Sequence, residues 1–239
     1  MARPDGRRAA DLRPVRIVRH FLKNTPASVL IEMGRTRVVC SAIAEDSVPP
    51  FLKGSKRGWV TAEYGMLPAS TPTRKERDRM GRIDGRTQEI QRLIGRCLRA
   101  VTDMTKLGER TIRIDCDVLD ADGGTRAAAI TGAYVALADA VALLTRQGKA
   151  GGRVLRAAVA AVSVGMLGGK AVLDLSYVED SAADVDMNIA MTSSGRFVEI
   201  QGTAEARPFD GGDLTVLLAL AGRGVKRLLR VQKEALSKR

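Results

Sequence analysis

Aromatic side chains are scarce in this chain of 239 residues, since Phe, Tyr and Trp together make up 3% of it, whereas apolar residues make up 45%. Ala, Val, Leu and Ile must therefore build the interior, and an RNA-binding platform of stacked aromatic rings is not expected. Trp59 and Tyr64 both lie in the segment GWVTAEYGMLP, where we expect them to pack locally.

Histidine and cysteine are also rare. The one histidine, His20, leaves a His-based zinc site or a His-dependent triad hard to build, so we expect it at a surface or an interface. The three cysteines, Cys40, Cys97 and Cys116, are widely spaced, form no CxxC pattern and sit among apolar residues. This pattern predicts buried free thiols in a reducing compartment.

Neither a secretory signal nor a membrane span is expected. The first residues, MARPDGRRAADLRPVR, are polar and basic and contain no apolar core. The longest nearly uncharged stretches, around residues 127–138 and 157–169, are shorter than the roughly 18–20 residues that a spanning helix needs. We therefore expect a soluble, cytoplasmic protein.

The net charge of +12 is unevenly distributed. The basic excess lies in residues 1–19, 74–99 and 223–239, whereas residues 100–222 carry a net negative charge. Basic patches beside an acidic centre suit a polyanion held over a site that handles metal ions or protons. The alternative is that these charges only keep the protein in solution.

The chain reads as strands, a helix, a strand, a helix, a run of strands and a long helix. Alternating patterns predict strands over residues 28–33, 36–45, 110–119, 154–166, 170–179, 185–192 and 196–205. Apolar residues at helical spacing predict helices over about 87–107, 125–144 and 213–236. The order predicts a mixed α+β fold with helices covering the sheets, and we treat residues 1–239 as a single domain.

The stretch DADGGTRAAAITG, residues 120–132, places two glycines, a threonine and an arginine where a helix begins. The N–H groups at a helix start bind anions, Gly123 and Gly124 let an anion approach closely, and Arg126 adds a guanidinium suited to phosphate. The alternative is an ordinary glycine turn with a Thr125 cap and a surface arginine.

Gly85-Arg86-Thr87 repeats this arrangement at the predicted start of another helix. Two such helix starts could hold one phosphate from two sides. A run of arginines precedes this segment and suits the backbone of a polynucleotide, unless the loop is merely solvated: Arg74, Arg77, Arg79 and Arg82.

The stretch YVEDSAADVDMN, residues 177–188, is acidic. We expect Glu179 and Asp180 to end a strand, and Asp186 to lie on one face of the next. Paired carboxylates beside a phosphate site hold Mg²⁺ or act as general acid and base, and we favour Asp180 and Asp186 for this role. Asp184 could instead cap the turn, and Glu179 could simply be exposed.

Four blocks together closely resemble the bacterial ribonuclease PH family. They are GWVTAEYGMLP (58–68), GRTQEIQRLIGRCLRAV (85–101), LGERTIRIDCDVLDADGGTRAAAITGA (107–133) and LDLSYVEDSAADVDMN (173–188). The resemblance runs from about Arg3 to the basic C-terminal segment, which is nearly the whole chain.

The resemblance implies a ribosomal protein S5 domain 2-like fold and a cytoplasmic hexamer, a trimer of dimers around a basic central opening. It implies trimming of tRNA precursors from the 3′ end, with inorganic phosphate as co-substrate and nucleoside 5′-diphosphates as products. Carried over by motif, phosphate binds Arg86, Gly124, Thr125 and Arg126, the catalytic and Mg²⁺-binding pair is Asp180 and Asp186, and Arg74, Arg77 and Arg79 contact tRNA.

Two rival functions stay open at the level of the sequence. A hydrolytic, metal-dependent nuclease would use the same acidic pair but would release nucleoside monophosphates without phosphate. A non-catalytic RNA-binding subunit of a ring would bind RNA and release nothing.

Overall fold

A computed structural model describes residues 3–77 and 84–238 of the chain. In chain order the elements are β1 (Val15–Arg19), β2 (Ser28–Met33), β3 (Thr36–Glu45), a 3₁₀ turn (Pro50–Leu52), β4 (Trp59–Met66), α1 (Gly85–Ala100), α2 (Met104–Leu107), β5 (Thr111–Asp120), α3 (Thr125–Arg146), β6 (Val159–Leu167), β7 (Lys170–Leu173), α4 (Tyr177–Asp180), β8 (Val185–Thr192), β9 (Phe197–Ala204) and α5 (Gly211–Ser237). The expected α+β class is confirmed.

The strands form two sheets. The first has the order β1-β2-β3-β5-β4, in which β4 runs parallel to β5 and the other neighbours are antiparallel. The second has the order β7-β6-β8-β9 and is antiparallel throughout. Helix α3 packs against β3 and β2 of the first sheet and against β6 of the second, so it lies between them.

Alternation along the strands decides which face enters the core. In β5, Ile112, Ile114, Cys116 and Val118 are buried, whereas Arg113 and Asp117 are exposed. β5 ends at Asp120, and the chain then enters the turn before α3, which begins at Thr125. The three cysteines are buried free thiols, as expected.

Helix α3 is long and apolar enough to cross a membrane by length and composition, but 83% of its most apolar window is buried inside the protein. The uncharged stretch identified in the sequence is shorter than this helix, because Asp139 interrupts it. That carboxylate is paired with Arg19 at 2.6 Å inside the fold, so its charge does not interrupt the core helix.

Several predicted boundaries are wrong. The predicted helix over residues 87–107 divides into α1 and α2, because Asp103 accepts hydrogen bonds from the backbone N–H groups of Thr105 and Lys106 and starts a new helix. The strand predicted from 154 begins only at Val159, and β1 and β4 were not predicted at all.

The strand predicted over 170–179 ends at Leu173, and Glu179 and Asp180 lie in the short helix α4. The chain turns at Asp174, whose φ of 56° is left-handed. Glu179 is 2% exposed instead of lying on the surface, because Nε and Nη2 of Arg3 donate to its two carboxylate oxygens at 2.6 and 2.7 Å.

Candidate active site

The turn between β5 and α3 has the backbone that two glycines allow. Gly123 and Gly124 have φ values of 73° and 64°, in the left-handed region that side chains disfavour. A Cβ on Gly123 would also lie 2.6 Å from the carbonyl oxygen of Leu175. Among the described residues, no side chain caps the start of α3 at Gly124, so the N–H groups of its first turn are left for a ligand.

A buried ion pair supports this turn from below. Arg13 Nη2 lies 2.6 Å from Asp174 Oδ1, and the backbone N–H of Arg13 donates to Oδ2 of the same carboxylate at 2.7 Å. The Arg13 guanidinium also donates to the carbonyl oxygens of Asp122 and Gly123. The turn is therefore fixed from outside its own segment.

Tyr64 positions the first residue of α3. Its hydroxyl donates to Thr125 Oγ1 at 2.9 Å, and the ring is 4% exposed. Burial raises the pKa of the Tyr64 hydroxyl, while the hydrogen bond to Thr125 opposes that rise. The hydroxyl thus stays protonated as a donor at neutral pH. The expectation that Tyr64 only packs locally missed this contact.

Arg86 lies in the first turn of α1, whose start is capped by Asp84. The Asp84 carboxylate accepts from the backbone N–H of Thr87, and this bond is the main cause that lowers the pKa of Asp84 to about 2, while burial acts in the opposite direction. Lys75 binds the same carboxylate at 3.0 Å. The helix start that carries Arg86 is thereby tied to the preceding loop.

The two favoured carboxylates come from different elements. Asp180 ends α4 and Asp186 lies in β8. Burial is the main cause that raises the pKa of Asp180, and the Asp186 charge adds to it, while Arg86 and Arg126 act in the opposite direction. Asp180 is therefore within electrostatic reach of the second carboxylate and of both arginines.

One cavity of about 1210 Å³ brings these residues together. Its lining includes every residue that the sequence assigned to phosphate or to catalysis: Arg86, Gly124, Thr125, Arg126, Asp180 and Asp186. The volume exceeds the range of about 300–1000 Å³ that is usual for small-molecule pockets. It has room for a nucleotide end as well as for phosphate.

The predicted tRNA-contacting arginines are placed differently. Arg74 and Arg77 are exposed and lie outside the cavity lining, although Thr71, Thr73 and Lys75 of the same segment belong to it. Arg79 and Arg82 lie outside the described residues. The segment thus runs along the cavity with its described arginines turned to solvent.

The first basic segment of the chain is engaged in structural contacts. Arg3 binds Glu179, Arg13 binds Asp174 and Arg19 binds Asp139, each at 2.6 Å between the closest atoms. The interpretation of residues 1–19 as a patch for a polyanion is wrong for these three arginines, because buried carboxylates neutralise them.

The donor set is compatible with Mg²⁺. The described part of the chain holds no group of three or more His, Cys, Asp or Glu side chains placed to bind a metal ion. Mg²⁺ keeps several waters, however, and is usually held by one or two carboxylates together with substrate phosphates. Asp180 and Asp186 facing one cavity meet that requirement.

A side-chain bridge joins Arg126 to two other residues of the cavity lining, Gln201 and Glu89. Arg126 Nη1 donates to Gln201 Oε1, and Gln201 Nε2 donates to Glu89 Oε1. Sequence reasoning missed Gln201, Glu89, Arg13 and Asp174. The sequence held a usable signal for one further site residue, Tyr64. Its alternation with Val60 and Ala62 indicates a strand on which the tyrosine faces the interior.

Two family models match the chain. The model described as 3′ exoribonuclease family, domain 1, matches residues 11–142, and the model described as domain 2 of that family matches residues 157–224. The treatment of residues 1–239 as one domain stays a prediction.

Solved structures share the fold at low sequence identity. Rrp46 of rice (Oryza sativa) is 17% identical with a TM-score of 0.79, over 98% of this chain and 100% of that one. The Archaeoglobus fulgidus exosome with RNA bound to the active site is 23% identical with a TM-score of 0.80, over 95% of this chain and 91% of that one. An archaeal exosome core is 21% identical with a TM-score of 0.75, over 97% of this chain and 91% of that one. The expected ribosomal protein S5 domain 2-like fold is confirmed, and the matched family domains show that this chain belongs to the 3′ exoribonuclease family of ribonuclease PH.

Proposed function

We propose that this protein is a phosphorolytic 3′-to-5′ exoribonuclease that trims the 3′ end of tRNA precursors with inorganic phosphate as co-substrate. The observation that carries the proposal is the single cavity lined by two arginines, an uncapped helix start and two carboxylates. Membership of the 3′ exoribonuclease family supports the reaction class.

In the proposed reaction, an oxygen of inorganic phosphate attacks the phosphorus of the last phosphodiester. The bond between that phosphorus and the 3′ oxygen of the preceding nucleotide breaks. The products are a nucleoside 5′-diphosphate and an RNA shortened by one nucleotide, whose 3′ oxygen takes up the proton that phosphate loses. The reverse reaction adds one nucleotide and releases phosphate.

Arg86, Arg126 and the N–H groups at the start of α3 bind the attacking phosphate in this proposal. Two anions, phosphate and the phosphodiester, must approach each other, and fixed positive charge lowers the repulsion between them. Arg126 and Arg86 come from different helices, so they hold the phosphate from two sides and fix the direction of attack.

Asp180 and Asp186 would hold Mg²⁺ beside the transferring phosphoryl group. When bound, the ion would supply charge stabilisation of that group instead of a metal-activated water. The two carboxylates would fix the position of the ion. Asp180 is itself held in place, because it lies on α4 and the Arg3–Glu179 ion pair anchors that helix. Phosphate as nucleophile explains why a chain with one exposed histidine needs no histidine base.

The RNA extends from the cavity over basic surface. In this proposal Arg74, Arg77 and Arg79 contact the tRNA backbone, and the exposed Arg223, Lys226 and Arg230 on α5 add positive charge elsewhere. We propose a homohexamer, a trimer of dimers, in the cytoplasm, so that neighbouring subunits supply further basic segments. The Archaeoglobus fulgidus exosome, which has RNA bound to its active site, supports RNA as the ligand.

Incubation of the protein with a 3′-extended tRNA precursor and Mg²⁺, with and without inorganic phosphate, tests the proposal. We expect release of nucleoside diphosphates only when phosphate is present. Release of nucleoside monophosphates without phosphate would identify a hydrolytic nuclease. Retention of intact RNA under both conditions would identify a non-catalytic binding subunit. An unstructured oligonucleotide in parallel separates tRNA trimming from general exonuclease activity.

A further inference from the structure

We propose that Gln201 is a positioning residue that fixes the Arg126 guanidinium for phosphate, and that Glu89 fixes Gln201 in turn. The inference rests on the proposed function and adds to it two residues that take no direct part in the chemistry. It starts from the bridge in which Arg126 donates to Gln201 and Gln201 donates to Glu89.

The bridge joins three elements across one cavity. Glu89 lies on α1, Gln201 on β9 and Arg126 on α3, and all three side chains line the cavity. The strand pairing places Gln201 opposite Asn188, two residues after Asp186 on the same face of β8. The bridge therefore relates the position of Arg126 to the strand that carries one of the two carboxylates.

The chemistry of the bridge suits a glutamine. A guanidinium only donates hydrogen bonds, so it must meet the amide oxygen, and a carboxylate only accepts, so it must meet the amide nitrogen. Rotation of the amide by half a turn would set like groups against each other at both ends. Arg126 and Glu89 thus hold the amide in one orientation from opposite sides.

The bridge also keeps the positive charge of Arg126 available. A carboxylate at position 201 would form an ion pair with Arg126 and compete with phosphate for the same donors. A neutral amide takes one donor of the guanidinium without pairing its charge, and within the described residues Arg126 donates no other side-chain hydrogen bond. Arg86 makes no hydrogen bond within the described ranges, so Arg126 is the more restrained arginine of the two.

A second α1–β9 contact provides a matched control. Arg96 Nη2 binds Glu199 Oε1 at 3.1 Å, two residues before Gln201 on β9, and neither side chain lines the cavity. Glu199→Gln weakens the same interface between α1 and β9 without altering the surroundings of Arg126. It is expected to leave the phosphate KM unchanged.

The test is steady-state phosphorolysis of oligoadenylate at varied phosphate concentration. Gln201→Leu removes the bridge, and we expect its phosphate KM to rise about tenfold, the scale of one lost hydrogen bond to a charged group, with a smaller change in kcat. The exchanged pair Glu89→Gln with Gln201→Glu can still form the α1–β9 hydrogen bond but places a carboxylate against Arg126. Its phosphate KM should rise at least as much, while its thermal midpoint stays near that of wild type.

Each outcome bears on the proposal. A wild-type phosphate KM in either Gln201→Leu or the exchanged pair would overturn the positioning role, and so would an equal rise in the Glu199→Gln control. If Gln201→Leu does not fold, the exchanged pair decides alone. Degradation of RNA by the wild-type protein without phosphate would overturn the proposed function and this role together. Failure of the positioning role alone shows instead as a phosphate-dependent wild-type protein whose variants keep the wild-type phosphate KM.

Discussion

The Arg13 guanidinium and the Asp174 carboxylate form a buried ion pair directly beneath the turn that opens α3, with 2.6 Å between Nη2 and Oδ1. The side chain of Arg13 is 3% exposed and that of Asp174 1%. The two residues are 161 positions apart, and the backbone N–H of Arg13 adds a further bond to the carboxylate. One pair therefore links the N-terminal segment, the end of β7 and the glycine turn.

Arg13→Met should strongly destabilise the fold. The change removes the nearer of two cations from the buried Asp174 carboxylate, since Arg7 Nη1 lies farther away at 3.6 Å. Breaking a buried ion pair by removing one partner typically costs about 3–5 kcal/mol. Urea denaturation measures the loss in the free energy of unfolding. The control is Arg16→Met, since Arg16 meets Glu32 at 3.5 Å with 73% of its side chain exposed, and exposed pairs contribute about 0–1 kcal/mol. Equal losses in the two variants would contradict a structural role for the buried pair.

Gly123→Ala tests whether the turn needs glycine for space as well as for conformation. The new Cβ would lie within 2.8 Å of three backbone atoms of residues 175–177, whereas a Cβ on Gly168 would have no neighbour within 4 Å. Both glycines have positive φ values, 73° and 53°, so both changes carry conformational strain.

We expect Gly123→Ala to lose about 1–3 kcal/mol more unfolding free energy than Gly168→Ala, the scale of overpacking at a site with no room to relax. Because the clash displaces the start of α3, phosphate-dependent turnover should fall in the first variant alone. Chemical denaturation and phosphorolysis of oligoadenylate measure both effects. Similar values for the two alanine variants would show that the close approach to residues 175–177 is unimportant.

The sequence predicted well those features that neighbouring residues determine. The alternation of β5, the pair Gly123-Gly124 and the helix after Thr125 are local, and the structure places them as expected. The repeated glycine, arginine and threonine at two helix starts suggested one shared phosphate site for Arg86 and Arg126, and the family resemblance assigned both residues to it, because helical spacing alone does not say that two helix starts meet.

Features set by distant contacts were missed. The segment 170–179 alternates like a strand, yet β7 stops because Asp174 turns back to bind Arg13. Glu179 is a charged residue in a polar segment, and only its contact with Arg3 explains its burial. Nothing local distinguishes Gln201 from another polar residue on a strand, since its role depends on side chains from α1 and α3.

Arg126→Ala should weaken the use of phosphate while leaving RNA binding largely intact. Loss of a charge-assisted hydrogen bond between the guanidinium and phosphate costs about 1.5–3 kcal/mol, so kcat/KM for phosphate should fall by about 10- to 150-fold. Phosphorolysis at varied phosphate concentration and a filter-binding titration of the RNA separate the two properties. Arg146→Ala is the control, because Arg146 is exposed at the far end of the same helix. Equal loss of phosphate use and RNA binding would contradict the assigned role.

Asp180→Asn should abolish most turnover while the RNA still binds. A fall of at least about 100-fold in kcat is expected, the scale for removing an electrostatic group that acts in the transition state. Single-turnover kinetics with saturating RNA and phosphate measure the change. Turnover within a few-fold of wild type would exclude Asp180 from the catalytic groups.

The same variant should be more stable than wild type at neutral pH. Burial, together with the Asp186 charge, raises the pKa of Asp180 above its usual value near 3.8, so the ionised carboxylate costs folding free energy. That cost is present above the raised folded-state pKa and disappears as the pH falls below the unfolded-state pKa. Asparagine removes it, so the gain in the urea midpoint should be largest at pH 7 and shrink as the pH approaches 4. Glu234→Gln removes a carboxylate from the exposed face of α5 and serves as the control. A gain in Asp180→Asn that does not depend on pH would show that charge at the paired carboxylates is not its cause.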